Sequence, residues 1–203
     1  NNSPGTSPWS LEYFEFDPGQ EKLREALCTL GNGYLGTRGS FNEVSSSRIH
    51  YPGTYMAGVF NKLDTNIAGK TITNEDLVNC PNWLPLTFKT DEKQDWINPS
   101  QQNIIKYYQK LDLKEAVLIR NYKIKDKSGK ITSIETRRIV HMGEMHQAAQ
   151  QYSITPENYS GEIIVRTGLD GTVENDGVER YSDLNSLHLS ADEIGNFSKN
   201  AIY

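Results

Sequence analysis

The chain has 203 residues, a formal net charge of −5, 36% apolar and 23% charged residues, and a mean hydropathy of −0.63. A chain of this length buries roughly 70% of the surface its unfolded form exposes, and its apolar content is too high for disorder. No run nears the ~20 consecutive apolar residues of a membrane helix, and no basic cluster exceeds Arg137-Arg138, so neither a membrane span nor nucleic-acid binding is expected.

The first eight residues, Asn1 to Pro8, form a Gly/Pro/Ser-rich leader without an apolar segment, and one globular unit is expected over 9–203. Leu11 to Phe16 reads as a first strand stopped by Asp17-Pro18-Gly19. Leu27, Thr29 and Tyr34 flank Gly31-Asn32-Gly33, which suggests a tight hairpin turn. Tyr51-Pro52-Gly53 is a turn, Thr54 to Phe60 a strand, and Leu84 to Thr90 another after the Pro81-Asn82 break. Ile104, Tyr107, Tyr108 and Leu111 recur at helical spacing, but their aromatic and β-branched character favours a strand.

The clearest pattern follows. Val117 to Lys125 turns back at Asp126-Lys127-Ser128-Gly129-Lys130 into Ile131 to Met142, which alternates with period two. His146 to Thr155, a turn at 156–161, and Glu162 to Leu169 continue it, and Asn200 to Tyr203 resembles the opening of a strand. Strands of this length between turn signals predict an all-β fold, a large antiparallel β-sandwich.

Several motifs fail on context. Gly31-Asn32-Gly33-Tyr34-Leu35-Gly36 fits the spacing G-x-G-x-x-G, but a dinucleotide site needs a helix N-terminus after it. Thr37-Arg38-Gly39-Ser40-Phe41 follows instead, so the glycines are expected to serve a turn and close packing. His141 and His146 stand five apart, which on a strand points them to opposite faces, so no metal is expected. The carboxylates Asp91-Glu92, Glu174 with Asp176, and Asp192-Glu193 lie in polar stretches and read as solvated, and no Ser-His-Asp arrangement stands out. No catalytic residue and no cofactor are therefore expected within this chain. Cys28 sits among apolar residues, which favours a reduced thiol over a bridge to Cys80. Sugars are held by aromatic faces and side-chain amides, which makes Asn79-Cys80-Pro81-Asn82-Trp83 and Trp96 notable, although a core role for Trp83 is the simpler reading.

Trp9 through Asp17-Pro18, Arg24-Glu25, and Gly31 to Gly39 with Phe41 resemble the N-terminal domain of glycoside hydrolase family 65. The likeness continues through Gly53 to Val59, Leu77 to Trp83, Leu111-Asp112-Leu113, Arg137-Arg138, Ile154 to Asn158, and Gly168 to Gly171 with Asn175. Ala26, Asn42 and Cys80 depart from the pattern, where Ser, Glu and Leu are usual. That family contains maltose, kojibiose, nigerose and trehalose phosphorylases and related α-glucoside hydrolases. The resemblance implies a β-sandwich that precedes an (α/α)6 barrel, packs against it, joins in homodimer contacts and sends loops towards the mouth of the active site. By the same resemblance the catalytic Glu and the phosphate-binding residues would belong to the barrel, and the substrate would be an α-linked glucose disaccharide cleaved with inversion. Inorganic phosphate would be the co-substrate of a phosphorylase, which would be cytoplasmic, and the leader leans towards an exported hydrolase. Asn32, Tyr34, Arg38 and Trp83 are the substrate-binding candidates, and a stand-alone carbohydrate-binding or assembly module is the alternative.

Overall fold

The computed structural model describes residues 7–175, 183–190, 192–198 and 201–202. Of the leader, only Ser7 and Pro8 fall among these. Asp176, Asn200 and Tyr203 lie outside them. The described residues are almost entirely β, in antiparallel pairings, as the period-two patterning requires. No described helix is long and apolar enough to cross a membrane.

The main layer is a five-stranded sheet in the order β1-β8-β9-β10-β11. Its members are β1 (Ser10–Tyr13), β8 (Asn103–Asp112), β9 (Val117–Lys125), β10 (Ile131–Val140) and β11 (Ala148–Pro156). β9 has the expected boundaries, and β10 pairs with it from Ile131↔Lys125 to Ile139↔Val117. The helical spacing of 104–111 has a simple cause. The register shifts between Ile104 and Lys106, and this bulge places Ile104 on the same side as Tyr107, three residues on.

Shorter pieces face this sheet. β2 (Leu30–Gly31), β3 (Leu35–Thr37) and β4 (Thr54–Met56) form one sheet, and β7 (Leu86–Lys89) pairs with β12 (Ile164–Thr167). The hairpin around Gly31-Asn32-Gly33 is present, with Gly33 at φ 90°. β5 (Phe60–Ile67) and β6 (Lys70–Leu77) make a hairpin that the sequence reading did not anticipate. Its turn residues, Ala68 and Gly69, both have positive φ, which is the primed geometry that matches strand twist. The stretch 54–60 is not one strand, because residues 57–59 turn the chain between β4 and β5. β13 (Asn196–Ser198) pairs with β14 (Ala201–Ile202).

Leu27 belongs to no strand. It ends a helix, α1 (Glu21–Leu27), which the period-two reading passed over. A short 3-10 turn (Pro99–Gln101) leads into β8.

The core lies against one face of the five-stranded sheet. One cluster holds Phe41, Val44, Phe88, Ile97, Tyr107, Tyr122, Ile124 and Ile134. A second holds Cys28, Leu30, Leu111, Leu118 and Val140. Cys28 and Cys80 are both buried and unpaired.

Candidate functional site

Between the two apolar clusters the inner face of the sheet is polar. Gln109 on β8 stands opposite Arg120 on β9, Arg120 opposite Thr136 on β10, and Arg138 opposite Gln150 on β11. Arg120 is 1% exposed. Its Nε donates to Gln109 Oε1 (2.9 Å), its Nη1 to Ser40 O (3.3 Å) and its Nη2 to Gly39 O (2.7 Å), and the guanidinium lies 3.8 Å from the Phe41 ring centroid. Arg138 donates to the carbonyls of Arg38 and Ser40 and to Asn42 Oδ1. Burial, with help from the Arg120 charge, pushes Arg138 down to about 9. The stripe thus grips the backbone of 38–42, and these fixed forks satisfy carbonyls that no strand partner meets.

This close grip explains Gly39. A Cβ there would come within 2.6 Å of Cys28 Cβ and 2.9 Å of Cys28 O, so only glycine lets the segment pass α1. Beyond it, Glu43 accepts hydrogen bonds from the hydroxyls of Tyr122 and Tyr152, while its Oε2 is buried without a partner. Burial raises the Glu43 carboxyl above the usual range, against the opposing pull of the two tyrosines and Arg120. Both tyrosines are held well above 10 by burial and by the Glu43 charge.

α1 supplies a second polar cluster. Glu21, Arg24 and Glu25, at i, i+3 and i+4, all point inward. Glu25 Oε1 lies 2.8 Å from His50 Nδ1, Glu25 Oε2 accepts from Tyr51 N (2.7 Å), and His50 Nε2 lies 2.5 Å from Ser100 Oγ. Arg24 Nη1 donates to Glu15 O (2.7 Å) and lies 3.6 Å from Glu21 Oε1. Both Glu21 oxygens are buried without a hydrogen-bond partner, and burial raises this carboxyl too. Glu21, Glu25 and His50 are the described residues that could hold a metal, with donor atoms within 4.8 Å of one another. A cation there would displace the Glu25–His50 bond and face the charges of Arg24 and Arg120, which makes the set a poor fit.

On the surface above Glu43 runs a groove. One part, of about 380 Å³, lies between Asn42–Ser45, Pro85–Thr87 and Arg166–Thr172. The other, of about 480 Å³, lies between Ser45–Arg48 and Asp170–Glu174, and the two share Ser45, Asp170 and Thr172. Its lining mixes apolar residues such as Val44, Leu86 and Leu169 with charges of both signs, among them Glu43, Arg166 and Asp170.

The four substrate-binding candidates do not converge on that groove. Asn32 sits in the β2–β3 turn, where its Oδ1 accepts from the backbone of Tyr34 and Leu35. Its Nδ2 donates to the carbonyls of His141 and Met145, tying the hairpin to the β10–β11 loop. Tyr34 packs edge-on against His146, 4.6 Å between centroids, with its hydroxyl 4.0 Å from Met56 Sδ. Arg38 donates to Tyr51 O and Lys22 O, both at 2.8 Å, and lies over the Tyr51 ring. Trp83 is half-buried beside the Asn82↔Asp170 bridge, and its Nε1 is buried without a partner. Asn79 fixes the loop before it through Thr54 N, Pro52 O and Glu174 O. Lys89 Nζ and the Arg166 guanidinium lie over the Trp96 ring, 5.2 and 4.4 Å from its centroid, so cations already occupy it.

His50, Glu43, Arg120 and Ser100 were not singled out from sequence. For Arg120 a signal existed, because Leu118, Tyr122 and Ile124 share its phase on β9 and that phase points inward. His50 and Ser100 lie outside any strand or α-helix and gave no such signal.

Comparison with known proteins agrees with this architecture. The family model for the glycosyl hydrolase family 65 N-terminal domain matches residues 11–203. An uncharacterized glycosyl hydrolase of Mycobacterium tuberculosis (strain H37Rv) is 46% identical over 187 residues, 92% of this chain and 14% of that protein. The kojibiose phosphorylase of Thermoanaerobacter brockii is 30% identical over 203 residues, covering 100% of this chain and 24% of its own length. The trehalose 6-phosphate phosphorylase of Lactococcus lactis is 33% identical over 188 residues, again 24% of its length. Among solved structures, a human-microbiome protein provisionally assigned as a kojibiose phosphorylase superposes with a TM-score of 0.73 at 22% identity, over 83% of this chain and 22% of that one, which supports the fold. The chain therefore spans a quarter or less of these relatives. With the family model matched from Leu11 to the last residue and the antiparallel fold shared, the chain belongs to glycosyl hydrolase family 65 as its N-terminal domain.

Proposed function

We propose that the chain is the non-catalytic N-terminal domain of an inverting enzyme that cleaves α-linked glucose disaccharides, and that it packs on a catalytic barrel and lines its mouth. The observation that carries this reading is the family match over 11–203, with phosphorylases among the relatives. In such an inversion a carboxylic acid protonates the glycosidic oxygen while phosphate or water attacks the opposite face of the sugar. Phosphorolysis is the better-supported branch, since the named activities among the relatives above are phosphorolytic. Inorganic phosphate is then a co-substrate, and a homodimer is the proposed assembly. The reading as a stand-alone carbohydrate-binding module is not favoured, because the matches are to much longer hydrolases and phosphorylases.

Of the four substrate-mouth candidates, Asn32 and Arg38 have their polar atoms engaged inside the fold. Tyr34 keeps its hydroxyl less fully engaged and Trp83 is half-buried, and the proposal of sugar contact rests on these two rings, the Trp83 Nε1 being itself buried. The test is to incubate the whole enzyme with kojibiose or trehalose, with and without inorganic phosphate. Phosphate-dependent release of glucose 1-phosphate is expected, with no turnover by residues 1–203 alone. Turnover by this chain alone, abolished by one carboxylate substitution within it, would overturn the assignment.

A further inference from the structure

Glu25, His50 and Ser100 come from α1, the loop before β4 and the 3-10 turn before β8, and they meet in one line. The hydrogen-bond roles follow from donor chemistry. An ionised carboxylate only accepts, so the proton at the 2.8 Å contact belongs to His50 Nδ1. In the neutral ring Nε2 then accepts, and the Ser100 hydroxyl, 2.5 Å away, donates to it. Glu25 is itself fixed by Tyr51 N, and Ser100 is fixed by its own N–H to Asn98 Oδ1 (3.0 Å). Glu25 and His50 are buried while Ser100 is partly exposed, so Ser100 is the least buried residue of the line.

The geometry points to a nucleophile–base–orienter relay in which Ser100 is an activated hydroxyl, able to take an acyl or phosphonyl group from a reactive ester or fluoride. Ser100 Oγ attacks the electrophilic carbon or phosphorus, its proton passes to His50 Nε2, and the leaving group departs as an alkoxide or as fluoride. Glu25 stabilises the imidazolium that forms. The N–H groups of Ser100, Gln101 and Gln102 are committed to Asn98 and Pro99, so these amides offer no oxyanion cradle. The relay therefore fits covalent capture of an activated electrophile, and unactivated amides are outside its reach. It lies wholly within this chain.

The experiment treats the protein with an alkyl fluorophosphonate and maps the adducts by peptide mass spectrometry. Ser100 is expected to react at least about 100-fold faster than the exposed Ser160. His50→Gln and Glu25→Gln should each remove that advantage, with circular dichroism confirming a folded chain. Should either variant fail to fold, the labelling rates of Ser100 and Ser160 in the unsubstituted protein decide alone. Labelling of Ser100 no faster than Ser160 overturns the relay and leaves three residues that only tie segments together.

Discussion

α1 and the strands it packs near are built on opposite plans. Along β9 the inward residues are apolar apart from Arg120, and on β10 Ile134 and Val140 alternate inward with Thr132, Thr136 and Arg138, while Lys123, Ser133, Glu135 and Arg137 face outward. Along α1 the charged residues go in and the leucines come out. Glu21 and Glu25 are each 1% exposed, whereas Leu23 is 55% and Leu27 52% exposed. For Glu25 and Arg24 burial follows the availability of partners rather than hydrophobicity. Glu25 goes inside because His50 and Tyr51 N await it, and Arg24 because Glu15 O and the Tyr13 ring do. The helix delivers charge to the core, and the sheet delivers most of the apolar surface.

The contrast is broken most severely by truncating the charge that α1 delivers. Glu25→Ala leaves His50 Nδ1 and Tyr51 N without their acceptor inside the protein, and the expected loss is about 3–5 kcal/mol. Glu135→Ala removes a carboxylate on the outer face of β10 that, among the described residues, pairs with Arg137 of its own strand, at 3.1 Å. Its expected effect is under about 0.5 kcal/mol. Urea denaturation of both variants measures the difference, and equal losses would contradict the inverted arrangement.

On the sheet side, Leu118→Ala opens a cavity among Cys28, Leu30, Leu111 and Val140. Its expected loss is roughly 2–5 kcal/mol by the same measurement, at an unchanged denaturant slope. A value below about 1 kcal/mol would mean that this end of the core collapses freely around the hole.

The buried carboxyls give the contrast a pH signature. Glu43 and Glu21 titrate above their ordinary range in the fold because burial penalises their charge. Stability from a raised carboxyl is fully present below the unfolded value near 4.5 and is lost as pH rises through the folded value. Asp112, Asp126 and Glu157 lie lower than usual and act in the opposite sense, losing their contribution as pH falls. Glu43→Gln isolates the first effect. Above pH 4.5 the wild type should lose ground to the variant by at most about 1.4 kcal/mol per pH unit. A constant difference between the two proteins from pH 5 to pH 8 would show that Glu43 stays charged.

The two plans also explain what could be read in advance. β9, β10 and β11 were legible because alternation, turn residues and β-branched content all agree there. α1 was not, since a seven-residue helix whose inward face is Glu-Arg-Glu carries no apolar stripe to recognise. The 60–77 hairpin was missed for a related reason. Its two faces are both largely polar and exposed, so only the Ala68-Gly69 turn marks it. Tertiary groupings were the least legible. Glu25, His50 and Ser100 lie 25 and 50 residues apart, and no local pattern links a helix, a loop and a 3-10 turn. Arg120 was readable in principle from strand phase, yet a charge in that phase looks like an exception until its acceptors on Gly39 and Ser40 are seen.

The smallest expected effect belongs to the leucines that α1 turns outward. Leu and Gln have nearly equal helix propensities, so Leu27→Gln changes little in the helix itself. At a half-exposed site the lost apolar contact is also small, and the expected change is within about 0.5 kcal/mol. The same substitution at Leu118 would bury an amide with no partner and cost several times more. Chemical denaturation of both, over a tenfold range of protein concentration, gives the comparison its control. A loss above about 1.5 kcal/mol for Leu27→Gln that grows with concentration would mean that a second copy covers this face. The same loss without concentration dependence would mean that other residues of the chain cover it. Either result would remove the contrast between the two regions, because the outward leucines would then be as buried as those on the sheet.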